Sequence, residues 1–142
     1  MAAVDDLVCF SLYRASRATT QAYRRLLAPW GLTYPQFLVL VQLWVEGPAT
    51  VSRLGDDLDL DSGTLSPLLR RMERGDLITR IRESDDARIV TIHLTDRGAA
   101  LRTEMHDVAA ELQRCTGFAV DDALALRESL HRLTANLQTT AN

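Results

Sequence analysis

The chain has 142 residues, 46% hydrophobic and 25% charged, which suits one globular domain with a core of its own. Its formal net charge of −3 excludes a simple basic nucleic-acid-binding tail, so any such role rests on where single arginines fall. All 16 basic residues are Arg. No stretch approaches the roughly 20 apolar residues of a membrane span. The apolar run Leu7 to Tyr13 is too short for a signal peptide and is closed by Arg14 and Arg17, so a cytoplasmic location is expected.

In chain order, Asp5 and Asp6 are expected to cap a first helix, with apolar or small residues recurring through Leu12, Ala15, Ala22 and Leu26. Pro29 and Gly31 end it. Thr33 caps a second helix with Pro35 in its first turn, and Gly47-Pro48 closes it. Two short helices follow, near 50–58 and 62–74. Leu77–Arg82 and Arg88–Leu94 read as the strands of a hairpin, joined by the charged turn Glu83–Ala87. Thr95-Asp96 caps a long fifth helix, and a sixth starts near Asp121-Asp122, whose charges suit its N-terminal dipole. The expected order is four helices, two strands and two helices.

The fifth helix carries Leu101, Met105, Val108, Leu112 and Cys115 at alternating steps of four and three. The sixth repeats the pattern with Leu126, Leu130, Leu133 and Leu137. Such a narrow seam suits another helix, from a partner subunit or from the same chain.

In the helix near 62–74, Leu65, Leu68, Leu69 and Met72 form one apolar face, while Thr64, Pro67, Arg70, Arg71 and Arg74 lie outside it. Its start, Asp61-Ser62-Gly63-Thr64, offers hydroxyls and free N–H groups to phosphate and base edges. With the preceding helix and the short turn between them it makes a helix-turn-helix. The hairpin then presents Arg80, Arg82 and Arg88 around its turn, as a wing that reaches a minor groove would. Each arginine alone also fits a solvated surface. Asp61, Glu73, Asp76, Glu83, Asp85 and Asp86 equal the six arginines of this region in number, so affinity depends on which charges face DNA.

Neither Cys9 nor Cys115 belongs to a CxxC pair, and no His stands nearby at ligand spacing, so no metal site or other cofactor is expected. The two are either inert core thiols or redox-active ones. Cys9 lies about one turn into the first helix, where the helix end stabilises a thiolate, the nucleophilic form. Tyr13 shares its face. Tyr23 has nearly the same angular position but stands about 21 Å along the axis, beyond reach of Cys9 in its own helix. It would meet the Cys9 of a partner if the first helices pack antiparallel. Core packing of Tyr13, Tyr23 and Tyr34 is the other reading.

The run LDSGTLSPLLRRMERGDLITRIRESDDARIVTIHLTDRG resembles the core of the MarR family of bacterial winged-helix repressors. The resemblance implies a mainly α fold with a small β-hairpin wing and a homodimer through the first and last two helices. It further implies a single domain over 1–142, dimerising through 1–32 and 95–142 and binding DNA through 48–94. Asp61, Ser62, Thr64, Ser66, Pro67, Arg70, Arg71 and Arg74 would then belong to the recognition helix. Arg82, Asp86 and Arg88 would belong to the wing, Arg88 being the minor-groove arginine. The partner would be double-stranded DNA, a pseudo-palindrome with half-sites roughly 10 bp or a multiple apart.

The segment VCFSLYRAS…QAYRRLLAPWGLTYPQFLVLVQLW resembles the organic hydroperoxide resistance regulators, a branch of that family. This implies that a peroxide oxidises Cys9, with Tyr23 and Tyr34 of the opposite subunit bonded to its sulfur and Tyr13 beside it. Cys115 would be the resolving thiol of a two-cysteine type. An apolar pocket of Phe10, Leu12 and Trp44 would favour alkyl and fatty-acid hydroperoxides. The expected function is that of a regulator and not an enzyme. The alternatives are a MarR-type repressor released by a phenolic or aromatic ligand, and a thiol peroxidase, for which no further catalytic machinery is evident.

Overall fold

A computed structural model describes residues 4–82 and 85–140. Glu83 and Ser84, expected in the wing turn, lie outside the described residues. The chain divides into two compact units, Met1–Val108 and Ala109–Asn142.

The first unit opens with a single 3-10 turn, Val4–Asp6, before α1 (Val8–Leu26). Here the expectation needs correcting. Asp5 and Asp6 do not cap the helix: the N-cap position is Leu7, which makes no side-chain cap bond, and Asp5 instead pairs with Arg14. Cys9 is consequently the second residue of α1, closer to the helix end than its spacing from the acids suggested. Thr33 does cap α2 (Tyr34–Glu46), in a reciprocal arrangement with Gln36 that satisfies two first-turn N–H groups, Pro35 having none to satisfy. Phe37, Val39, Leu40 and Leu43 of α2 are buried, so this helix forms the centre of the unit.

A two-residue strand, β1 (Ala49–Thr50), was not expected. It leads into α3 (Val51–Leu58), capped by Thr50, and α4 (Ser62–Arg74), capped by Asp61. The wing strands β2 (Ile78–Ile81) and β3 (Thr91–Leu94) are shorter than the sequence suggested. The antiparallel sheet has the order β1-β3-β2, with Ala49 opposite Ile92 and Ile78 opposite Leu94. Leu65, Leu68, Leu69 and Met72 of α4 bury against this frame together with Leu40, Leu54, Ile78 and Ile92. Helix α5 (Asp96–Glu104) starts from Thr95, whose hydroxyl accepts from the Gly98 N–H and donates to the Asp76 carbonyl at 2.6 Å. The wing is thereby tied to the end of α4.

The long fifth helix of the sequence reading is two helices. After Glu104 the chain turns through 105–107 before α6 (Val108–Thr116). The Val108 N–H bonds the Met105 carbonyl three residues back, and the His106 ring meets the Thr103 carbonyl, so the i→i−4 ladder lapses. Met105 and Val108 are both buried, which is why the apolar spacing ran on through the break. In the second unit, α7 (Val120–Thr140) contains no buried residue, and Leu124, Leu126 and Leu137 are exposed. Among the described residues no helix is long and apolar enough to cross a membrane, and no group of side chains is placed to hold a metal ion.

Candidate DNA-binding surface and thiol site

Asp61 takes the extended N-cap conformation, and its carboxylate accepts the Thr64 N–H at 2.8 Å. Its carbonyl accepts from Thr64 and Leu65. That leaves the N–H groups of Ser62 and Gly63 at the tip of α4, where a helix end attracts a phosphate. Asp61 therefore shapes the tip through its cap. Ser62 and Thr64 are exposed, and Ser66 and Pro67 half-buried. With the leucines and Met72 turned inward, the helical repeat sets Gly63, Pro67, Arg70 and Arg74 on the opposite side. Arg70, Arg71 and Arg74 are exposed and form no ion pair among the described residues. Arg71 departs from the outer face: it lines a cavity of about 180 Å³ with Trp30, Gln36 and Arg97.

The wing carries its own small clamp. Arg88 binds Asp86 through Nε at 3.1 Å and Nη2 at 3.3 Å, and its backbone N–H donates to the same carboxylate at 3.0 Å. Arg88 so close to Asp86 holds that carboxyl below the usual carboxylate range. The Arg88 side chain is nonetheless 91% exposed, so Asp86 holds the guanidinium by Nε and Nη2 while leaving it open to solvent. Arg82 is exposed just beyond β2.

Arg80 was expected beside these two, but the structure gives it a different setting. Its Nε lies 2.9 Å from Glu73 of α4. Sequence reading missed this pair. The available signal was strand alternation, which puts Arg80 on the same face as the buried Ile78 and hence toward α4.

Cys9 is a free, exposed thiol in the first turn of α1. Tyr13, one turn on, stacks with Phe10 at 6.4 Å, and its hydroxyl accepts from Arg17 at 3.3 Å. Tyr23 is buried, and its ring stacks on that of Tyr34 at 4.0 Å, nearly parallel at 11°. Burial, and next the adjacent Tyr34 phenol, push Tyr23 up to about 12, while burial also raises Tyr34. α1 and α2 thus bring Tyr23 and Tyr34 together from positions eleven residues apart.

The pocket expected from Phe10, Leu12 and Trp44 does not assemble from those three. The Trp44 indole donates to the Gly98 carbonyl at 2.9 Å, tying α2 to α5, and the groove beside Phe10 is lined by Tyr13, Arg14, Arg17, Ala18 and Gln21. A more apolar cleft of about 520 Å³ lies beside Tyr34, bounded by Thr20, Arg24, Leu32 and Pro35. Cys115 is a free, exposed thiol near the end of α6.

A family model described as "MarR family" matches residues 32–90. The organic hydroperoxide resistance transcriptional regulator of Bacillus subtilis is 40% identical over 94% of this chain and 91% of its own length. The chain belongs to the MarR family. A second relative, the HTH-type transcriptional regulator TtmR of Methylorubrum extorquens, is 41% identical over 97% of this chain and 71% of its own. Among solved structures, reduced AbfR bound to DNA aligns with a TM-score of 0.80 at 34% identity, covering 94% of each chain. AbfR, a Staphylococcus epidermidis protein, also aligns in its disulfide-formed state, with a TM-score of 0.62 at 32% identity over 96% of this chain and 90% of that one. The chain is a DNA-binding transcriptional regulator with the MarR winged-helix fold, and its relatives are named regulators rather than enzymes.

Proposed function

We propose that this chain is a homodimeric repressor that binds a pseudo-palindromic operator and releases it when an organic hydroperoxide oxidises Cys9. The observation that carries the reading is an exposed thiol in the first turn of α1, in a chain that shares most of its length with a relative named for organic hydroperoxide resistance. AbfR, a further relative by structure, exists in a reduced DNA-bound form and in a disulfide form. The dimer supplies what one chain lacks. Tyr23 is too far along α1 to reach its own Cys9, whereas the stacked Tyr23–Tyr34 pair of a partner would offer phenol donors to the sulfur. Dimerisation would use the segments 1–32 and 95–142, with 48–94 on DNA.

The chemistry balances without a cofactor. The Cys9 thiolate attacks one peroxide oxygen and breaks the O–O bond. It becomes a sulfenic acid, and the alkoxide leaves and takes a proton to give the alcohol. A second thiol, Cys115 or a small external one, displaces hydroxide from that sulfur and leaves a disulfide and water. A Cys9–Cys115 bridge needs Cα atoms within about 7 Å. Drawing the thiols together would shift the two recognition helices and loosen the operator. On the DNA, Ser62, Thr64, Ser66, Pro67, Arg70 and Arg74 would serve the major groove, with Asp61 capping their helix and Arg71, turned off that face beside Trp30, at its edge. Arg82 and Arg88, the latter set by Asp86, serve the wing.

A mobility-shift titration tests this. Cumene hydroperoxide should release wild-type protein from its operator and leave Cys9→Ser bound; release of Cys9→Ser on oxidation overturns the sensor assignment. Non-reducing gels should show a covalent dimer only when both cysteines are present. The cleft beside Tyr34 supports the second reading, a small aromatic ligand that releases DNA with Cys9 intact. In that case Cys9→Ser would respond to such a ligand and neither form to peroxide.

A further inference from the structure

The recognition helix and the wing face each other across one ion pair, Glu73 of α4 with Arg80 of β2, at 2.9 Å. Both side chains are only 37% exposed. Strand alternation explains the placement: Ile78, Arg80 and Arg82 share one face of the wing, and Ile78 on that face is buried. Arg80 therefore projects toward α4, into a groove lined by Glu73, Arg82 and Val90. The other basic residues of the surface are treated differently. Arg70 and Arg74 are exposed without an ion pair among the described residues. Arg88 shares its guanidinium with Asp86, two residues away in the same wing turn, but keeps its side chain 91% exposed. Arg80 alone among these is held by an acid of the other DNA-contacting element.

We infer that Glu73 is a specificity-determining residue: it withdraws Arg80 from the phosphates and so limits sequence-independent binding. A phosphate contact adds affinity to every DNA alike, whereas base-edge contacts separate the operator from the rest. An arginine spent on Glu73 therefore lowers non-specific affinity more than it lowers discrimination. The same pair sets the wing at a fixed distance from α4, which serves register on the operator. This accounts for one of the acids that equal the arginines in number over 61–88.

The test measures binding to operator and to unrelated duplex over a range of salt for wild type, Glu73→Gln, Arg80→Gln and the double variant. Glu73→Gln should steepen the slope of log K against log salt on unrelated DNA by about 0.9 per protomer, roughly eightfold in affinity at 0.1 M salt. Its ratio of operator to non-specific affinity should fall. Arg80→Gln alone should leave the slope within experimental error of wild type, and the double variant should return to it. Thermal melting and peroxide release of Glu73→Gln verify that the fold and the Cys9 response persist. A shallower slope in Arg80→Gln would show that Arg80 already contacts phosphate, and an unchanged slope in Glu73→Gln would show that it has no access to one; either result overturns the inference.

Discussion

At the scale of single residues, Arg88 and Tyr23 show how one neighbour decides what a side chain does. Asp86 accepts both from the Arg88 backbone and from its guanidinium, so the arginine is aimed without being buried. As the proposed groove contact it would support every duplex. Arg88→Ala should therefore weaken operator and unrelated DNA together and reduce the salt slope by about one contact per protomer, measured by anisotropy over a salt series. A loss confined to the operator would contradict that role. The family resemblance pointed to Asp86 and Arg88 together, and the structure pairs them. The Glu73–Arg80 pair was only half legible: strand alternation puts Arg80 on the face of buried Ile78, but that Glu73 meets it there depends on how the wing folds back on α4.

Tyr23 permits a pH prediction. Its folded value of about 12 lies above the ordinary 10.0, so its contribution is complete below pH 10 and is lost as pH rises through about 12. Thermal stability should fall over that window, and Tyr23→Phe should reduce the fall. Equal alkaline sensitivity in the two proteins would show that Tyr23 is not the titrating group.

At the scale of elements, the joints between helices carry the fold, and they differ in legibility. Thr33, Asp61 and Thr95 each announced a helix start, because a short polar side chain accepting first-turn N–H groups is a local device. Asp5 and Asp6 misled, since the acids occupy a separate turn and Leu7 stands at the cap. The break at 105–107 was hidden because buried Met105 and Val108 continue the heptad-like spacing across it. β1 was invisible for a different reason: two residues become a strand only through pairing with β3.

The joint between wing and α5 gives a prediction whose sign differs from helix propensity. Ala normally improves on Gly inside a helix by roughly 1 kcal/mol. At Gly98, however, a Cβ would overlap the Leu77 carbonyl oxygen and lie 3.2 Å from a Leu94 methyl. That carbonyl is held by the Thr95 N–H and is not a movable side chain. Gly98→Ala should destabilise the protein by about 1–3 kcal/mol, seen as a lower Tm. A higher Tm would mean that the wing base yields freely.

At the scale of the whole molecule, the MarR fold was readable from the helix-turn-helix, the wing and the order of elements, whereas the partner was readable only as a pattern. α7 contains no buried residue although leucines recur along it at helix-packing intervals. Leu126 and Leu137 are exposed in the single chain, so Leu126→Glu with Leu137→Glu removes no core contact. If α7 belongs to the dimer interface, this double variant should shift the protein toward monomer in sedimentation analysis and lose operator affinity by at least tenfold, because one half-site replaces two. A stable dimer in the variant would place the interface elsewhere.

The central claim joins a sulfur on α1 to the grip of α4 and the wing. Operator anisotropy followed during stepwise addition of cumene hydroperoxide, with mass spectrometry of each sample, tests that link most directly. The account predicts that release tracks the fraction of Cys9 carried to sulfenic acid or disulfide, and that Cys9→Ser stays bound throughout. Release without modification of Cys9, or full oxidation of Cys9 on protein still bound to operator, would contradict it.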